Sequence, residues 1–342
     1  MIRFNNDYNR GAFSDIMQAL SEDACQSHAG YGTDDWCDKA SDTIRKLIHR
    51  KDADIWYFPG ATQANYVLIA RALTSVQSVV CADTGHINAH EAASIENTGH
   101  KILELPNKEG KIDADQVKKV AEAYYGEEAE YLTEPKLVYI SFPTEQGTIY
   151  SKEELKNLSL VCREFGMYLF VDGARLPYGL GASNNDVTLE DLALYTDAFY
   201  LGGTKCGALF GEALVLLNKD LKPRFKAYMK QNGAVMAKGW LMGLMFHTML
   251  SNGEYFEASR RADQYAMQIR AAFEEKKIPL MADSYTNQQF VILSDENADR
   301  LSEDFVFEDC GRDERGRIAR FCTSWATSEE EVEKLISVIQ EL

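Results

Sequence analysis

The chain is short of basic residues. Lys and Arg number 36 against 53 Asp and Glu, which gives 342 residues a formal net charge of −17. A nucleic-acid partner requires a basic surface, so DNA and RNA are excluded, and docking on anionic lipid is excluded with them. The acidic excess reads as a solvated surface. No apolar run is long enough to cross a bilayer, and the N-terminal MIRFNNDYNRG lacks the apolar core of a signal peptide. The seven cysteines are scattered, odd in number and without a CxxC pair, which excludes a disulfide framework and points to a reducing cytoplasm. Cys81, Cys162 and Cys322 lie in apolar segments and read as small core residues, and so does Cys206. No GxGxxG turn follows the early strands, which disfavours a dinucleotide. His86 and His90 have i, i+4 spacing but no HExxH pattern or third ligand, so no metal site is expected. Internal repeats and low-complexity linkers are absent from the sequence.

What is present is ordinary for a folded α/β protein: 45% hydrophobic and 26% charged residues. Apolar runs at 55–60, 78–83, 101–106 and 136–142 alternate with helical spacing at 61–73, 113–124 and 153–165. HINAHEAASIENTG (86–99) is expected to be helical as well. YLFVD and AFYLGG follow, then GEALVLLN. This order predicts a mainly parallel sheet with helices on both faces. The helix at 113–124 has Asp113 as its candidate N-cap, and that at 153–165 stops at Gly166. Beyond residue 236 the pattern turns almost wholly helical to about 277, with a weak break at 251–253. Strands at 290–295 and 317–325 and a closing helix from Ser328 complete a smaller domain. The expected division is an N-terminal arm (1–30) against the small domain or a neighbouring subunit, a large domain (31–235) and a small C-terminal domain (236–342).

The chemistry-bearing residues gather at strand ends. YLFVDGAR delivers Asp172 and Arg175, and AFYLGGTKCG delivers Lys205 after a Gly-Gly turn. Gly60-Ala61-Thr62 marks a strand-to-helix turn, and His86 follows the strand at 78–83. Ligands in such sheets bind at the carboxyl ends of strands, and all four groups fall there. An amine in a dry small-residue turn, with an acid one strand away, suits pyridoxal 5′-phosphate (PLP): the lysine forms the imine and the acid holds the pyridine nitrogen protonated. Taken singly, each residue has a plainer reading. Lys205 would be an exposed loop lysine, Asp172 a turn cap, Thr62 an N-cap and His86 a surface or core histidine. Helix-start amides with Thr62 suit a phosphate, and His86 suits stacking or proton handling. Arg175 and Arg320 are candidates for gripping a carboxylate, with a structural salt bridge as the alternative. Arg320, in an otherwise apolar strand, is the stronger of the two.

These residues, in this order, resemble the threonine aldolase and aromatic amino acid β-eliminating lyase branch of fold-type-I PLP enzymes. The likeness runs from FNNDY through GYGTDD, FPGATQAN, ADTGHINAHE, KLVYISFPTEQGTIYS and YLFVDGARL to GGTKCG and RIARF. It implies the aspartate aminotransferase fold, with a seven-stranded sheet and a smaller C-terminal α+β domain. It implies that Lys205 holds PLP, Asp172 pairs with the ring nitrogen, His86 stacks on the ring, and Gly60, Ala61 and Thr62 cradle the phosphate. Arg175 and Arg320 would bind substrate carboxylate. The family's homotetramers of dimers share sites between subunits, which would place Tyr31 at a neighbour's site; dimer and tetramer both stay open. Three departures touch the site rim. Glu145 stands where the family has a histidine in ENTHN, Asn6 where it has the serine of RSDT, and the arginine of GGGMRQ is lost within GAVMAKG (233–239), with Lys238 as a substitute phosphate contact. The expected activity is that of an aldehyde-lyase of the threonine aldolase type, turning L-threonine or L-allo-threonine into glycine and an aldehyde, with His86, Glu145 or a water as base. The alternatives are β-elimination, racemisation or transamination on the same cofactor, and, from another class, a nucleotide-binding oxidoreductase or a binding protein on the same scaffold.

Overall fold

The computed structural model describes residues 1–125 and 129–342. Its strands, in chain order, are β1 (Ile2–Arg3), β2 (Asp54–Phe58), β3 (Gln77–Ala82), β4 (Lys101–Leu105), β5 (Glu134–Ser141), β6 (Tyr168–Asp172), β7 (Ala198–Gly202), β8 (Glu212–Leu216), β9 (Gln288–Leu293), β10 (Phe305–Val306), β11 (Glu308–Asp313) and β12 (Gly316–Cys322). Seven of them form the central sheet in the order β2-β8-β7-β6-β5-β3-β4. All run parallel except β8, which is antiparallel to both β2 and β7.

Strands β7 and β8 are buried along their whole length, as expected where helices cover both faces of a sheet. Successive side chains point to opposite faces. Phe199 and Leu201 enter a core with Val215, Met245 and Phe246, while Ala198 and Tyr200 enter a second core with Phe170, Leu214 and Leu68. Both cores are therefore tied to β7, the strand that leads into Lys205.

Local signals hold at the helix ends. Asp113 caps Ala114–Tyr124 in a reciprocal box with Gln116, and Gly166 takes φ 63° after helix Lys152–Glu164. The helical region beyond residue 236 is two helices, Trp240–Ser251 and Glu254–Glu275, separated where Gly253 adopts φ 78°. A three-stranded antiparallel sheet, β11-β12-β9, packs on a third core with Phe273, Phe321 and Leu335.

The segment 86–99 departs from its expected helix. Only His86–Ala89 is α-helical; Ala92 and Ala93 then take φ 48° and 58°, and a 3-10 turn covers Glu96–Thr98. The apolar periodicity was real, since Ile87 and Ile95 are buried, but turns bring them inward. Strand β11, EDCGRD, gives no apolar alternation because it lies exposed at the sheet edge.

The N-terminal residues are stitched across the molecule. β1 pairs with β10, and buried Asp7 receives Arg175 Nε at 2.6 Å and Nη2 at 3.0 Å. Asn287 Nδ2 adds a third bond to Asp7 at 3.0 Å. Burial alone would raise the Asp7 pKa, but Arg175, Lys205 and Asn287 bring it below the usual carboxylate value. Its stabilising contribution is thus present above the unfolded-state pKa and is lost as pH falls through the lower folded value. Replacing Asp7 with Asn leaves a buried guanidinium unpaired, and urea unfolding at neutral pH should show a loss of about 3 kcal/mol. The wild-type advantage should shrink on acidification below roughly pH 4; equal stability of the two proteins at neutral pH would contradict this.

Candidate active site

The site is built at the carboxyl ends of β2, β3, β5, β6 and β7. Because β8 runs the other way, its first residue, Glu212, joins the same edge. Asp172 is the last residue of β6 and is 5% exposed. Its Oδ1 accepts from Ala174 N at 3.0 Å, and its Oδ2 accepts from Tyr139 Oη at 2.5 Å and Asn65 Nδ2 at 3.1 Å. Desolvation pushes its pKa up; the His86 charge and the Tyr139 hydroxyl outweigh that and bring it down. The acid is therefore ionised and already organised by donors.

A closed ring of polar contacts runs outward from it. Asn65 Nδ2 also donates to Glu91 Oε1 (2.9 Å), which lies 2.8 Å from His86 Nδ1. On the other side Ser141 Oγ lies 3.4 Å from Tyr139 Oη and donates to Glu145 Oε1 at 2.6 Å. The His86 backbone N–H closes the ring by donating to the same Glu145 oxygen at 3.0 Å. Burial lowers the His86 pKa, but Glu91 and Asp172 override it and the net shift is upward. Glu145 shifts upward too, chiefly from burial and with Asp172 adding to it, against the opposing Ser141 bond.

Lys205 sits in the turn after β7. Burial and the Arg175 charge lower its pKa, while Asp7, Asp172 and Glu212 pull it back up. An amine with weakened hold on its proton is suited to attack a carbonyl. Gly60 is the N-cap of helix Ala61–Ala72 and provides no side chain to close it. The first-turn amides of Ala61, Thr62 and Gln63 therefore lack intrahelical acceptors, and a Cβ built on Gly60 meets nothing within 4 Å. Together these residues fit PLP: an open helix start for its phosphate, an ionised acid for its ring nitrogen, a free amine for its aldehyde and an imidazole beside them.

The structure sorts the remaining expected residues into two places. Arg320 reaches the N-terminal arm, donating from Nη2 to Asn5 O at 2.9 Å, and its buried Nε has no partner. Among the described residues it has no carboxylate partner. Arg175 has Nε and Nη2 committed to Asp7, which leaves Nη1. Asn6 Oδ1 accepts from Tyr8 N at 3.1 Å, shaping the same arm. Tyr31 and Lys238 are elsewhere. Exposed Tyr31 donates its N–H to Ala237 O and lines a cavity of about 360 Å³ with Trp56, Tyr57 and Lys226. No hydrogen bond joins Tyr31 or Lys238 to the Lys205 cluster among the described residues.

Residues 10–296 match the model of the β-eliminating lyase family. The chain belongs to that family. A low specificity L-threonine aldolase of Pseudomonas sp. (strain NCIMB 10558) is 26% identical over 348 residues, covering 99% of this chain and 97% of the relative. A threonine aldolase of Leishmania major superposes with TM-score 0.97 at 40% identity, covering 100% of this chain and 99% of that one. Aspartate aminotransferase of Thermus thermophilus shares the fold, with TM-score 0.72 at 14% identity over 100% of this chain and 91% of its own. This member of the family thus has the aminotransferase fold expected of it.

Asn65, Glu91, Ser141 and Tyr139 were not singled out in the sequence. A helix through 86–99 would put His86 and Glu91, five residues apart, on different faces. The helix ends at Ala89, and the chain then turns Glu91 back onto the imidazole. Replacing Glu91 with Gln should lower the His86 pKa toward or below its usual 6.5, as followed by NMR titration; an unmoved titration would show that Glu91 does not hold the ring's proton.

Proposed function

We propose that this member of the β-eliminating lyase family is a PLP-dependent aldehyde-lyase cleaving β-hydroxy-α-amino acids, L-threonine and L-allo-threonine, to glycine and an aldehyde. One observation carries the reading: an amine with a lowered pKa and a buried, ionised aspartate meet at one sheet edge, next to an acid with a raised pKa. The names of the relatives support the substrate class. Bound there, the cofactor supplies an electron sink for the pair released from the Cα–Cβ bond.

The chain's own residues do the rest. Lys205 offers its amine to the cofactor aldehyde. Asp172 keeps a proton on the ring nitrogen, and the Tyr139 and Asn65 donors hold its carboxylate in place. The open amides of Ala61 and Thr62, with the Thr62 hydroxyl, take the phosphate, and His86 covers the ring. Arg320, with no acid of its own, takes the substrate carboxylate, and Arg175 Nη1 is a second donor. Glu145 is our choice as the base that removes the β-hydroxyl proton. Both of its side-chain hydrogen bonds go to Oε1, so Oε2 is left for substrate, and its raised pKa brings it toward working pH. His86 is the second choice, since Nδ1 is committed to Glu91 but Nε2 is not.

We place Tyr31 and Lys238 at the site of a neighbouring subunit in a homotetramer built from dimers, consistent with their position away from the Lys205 cluster. Asn6 serves as part of the arm beside Arg320. We take the domain limits as 31–235 and 236–342, with the arm at 1–30. All seven cysteines are free, which suits a reducing cytoplasm, and no helix among the described residues is long and apolar enough to cross a membrane.

The test is aldehyde release from each substrate by PLP-loaded protein. Wild type should release acetaldehyde from both, and Lys205→Ala should release none. Glu145→Gln should retain cofactor and lose on the order of 10²-fold in rate, the scale of general-base catalysis. Full activity in that variant would move the role to His86. Loss of a group other than the aldehyde, with cofactor bound, would mean that a different bond is broken at this site.

A further inference from the structure

Glu212 is an acid without an assigned task. It begins β8, opposite Gly202 of β7, and is 2% exposed. A buried carboxylate costs several kcal/mol unless donors or cations meet it. No salt bridge reaches Glu212 among the described residues. What meets it is the turn that carries Lys205. Oε2 accepts from Gly203 N at 3.0 Å, and Oε1 accepts from Thr204 Oγ1 at 2.8 Å. The Thr204 hydroxyl in turn accepts from Gly211 N at 3.0 Å, so its donor and acceptor roles are both assigned. Gly203 and Thr204 backbone N–H groups also donate to Gly211 O at 2.9 and 3.1 Å. Close approach requires glycine at 203, where a Cβ would come within 2.5 Å of Gly211 O. Past the turn, Tyr178 Oη donates to Lys205 O at 2.8 Å.

We propose that Glu212 is a positioning residue for Lys205, clamping the Gly203–Thr204 turn through two hydrogen bonds and, once ionised, adding a negative charge beside the turn that carries the amine. The neutral acid serves the clamp alone; the carboxylate, which forms above about pH 8, also acts on the lysine's proton. The titratable groups coupled to Glu212 by charge are Lys205, Asp172, Tyr200, Cys206 and Tyr255. Burial pushes Glu212 up to about 8, the Thr204 and Gly203 donors and Lys205 oppose that, and Asp172 adds to it. The sign at Lys205 follows. Burial, the main cause, and Arg175 lower its pKa; Asp7, Asp172 and Glu212 raise it. Removing the Glu212 charge therefore lowers the lysine's pKa further.

The proposal rests on Lys205 being the cofactor lysine, and its test does not depend on which bond the enzyme breaks. The rate of labelling of Lys205 by an amine-reactive reagent is followed against pH in cofactor-free protein, with the modified peptide identified by mass spectrometry. Glu212→Gln should move the midpoint down by about one pH unit, the lower end of the effect of a nearby opposite charge. Thr204→Val keeps the charge and breaks one clamp bond, so its midpoint should stay put while its PLP affinity, read by absorbance titration, falls several-fold. Thr204→Ser should restore that affinity. An unmoved midpoint in Glu212→Gln, or unchanged PLP affinity in Thr204→Val, would overturn the proposal. A moved midpoint in a protein that releases no aldehyde would uphold it and count against the aldolase reaction alone.

Discussion

A carboxylate at the end of a buried apolar strand is costly unless donors and positive charge surround it, and much of the site is arranged around that requirement at Asp172. Strand β6 carries the acid into the interior because Leu169, Phe170 and Val171 are core residues. Tyr139, Asn65 and the Ala174 amide then answer its two oxygens. Those partners belong to β5, to helix Ala61–Ala72 and to the turn after β6. Holding one acid ionised thus fixes three elements relative to one another. A buried polar network of this kind helps to specify one geometry, even with Asn65 Oδ1 left without a partner.

The same network reaches the groups that handle protons. Asn65 links Asp172 to Glu91, Glu91 holds His86, and His86 shares Glu145 with Ser141. Around the ring, pKa values separate in opposite directions: Asp172 goes down, while Glu145 and His86 go up. Divergent environments for neighbouring acids are how one pocket holds a permanent charge and a proton acceptor together. Lys205 comes from the next strand, and its turn is tied back to the sheet by Glu212. Glu145 is accommodated because Ser141 Oγ and the His86 backbone N–H give its carboxylate two donors.

Much of this was legible before the fold was known, and the limits have physical causes. Asp172, Lys205, Gly60 and His86 could be placed together because a parallel sheet sends its strand ends to one edge. Glu212 could not, since nothing in GEALVLLN says that this strand runs antiparallel; only that reversal brings its first residue to the site. Glu91 falls within the helix expected through 86–99, and the turns at Ala92 and Ala93 after Ala89 are not written in that pattern. Asp7 was passed over because an acid in a polar N-terminal segment looks like any solvated one until Arg175 is seen to meet it 168 residues away.

The most direct test of the account is to trap the bound cofactor. PLP-loaded protein is reduced with borohydride and the pyridoxyl group mapped by peptide mass spectrometry. Modification is expected at Lys205, with no pyridoxyl peptide recovered from Lys205→Ala protein. A pyridoxyl group on any other lysine, with Lys205 unmodified, would contradict it.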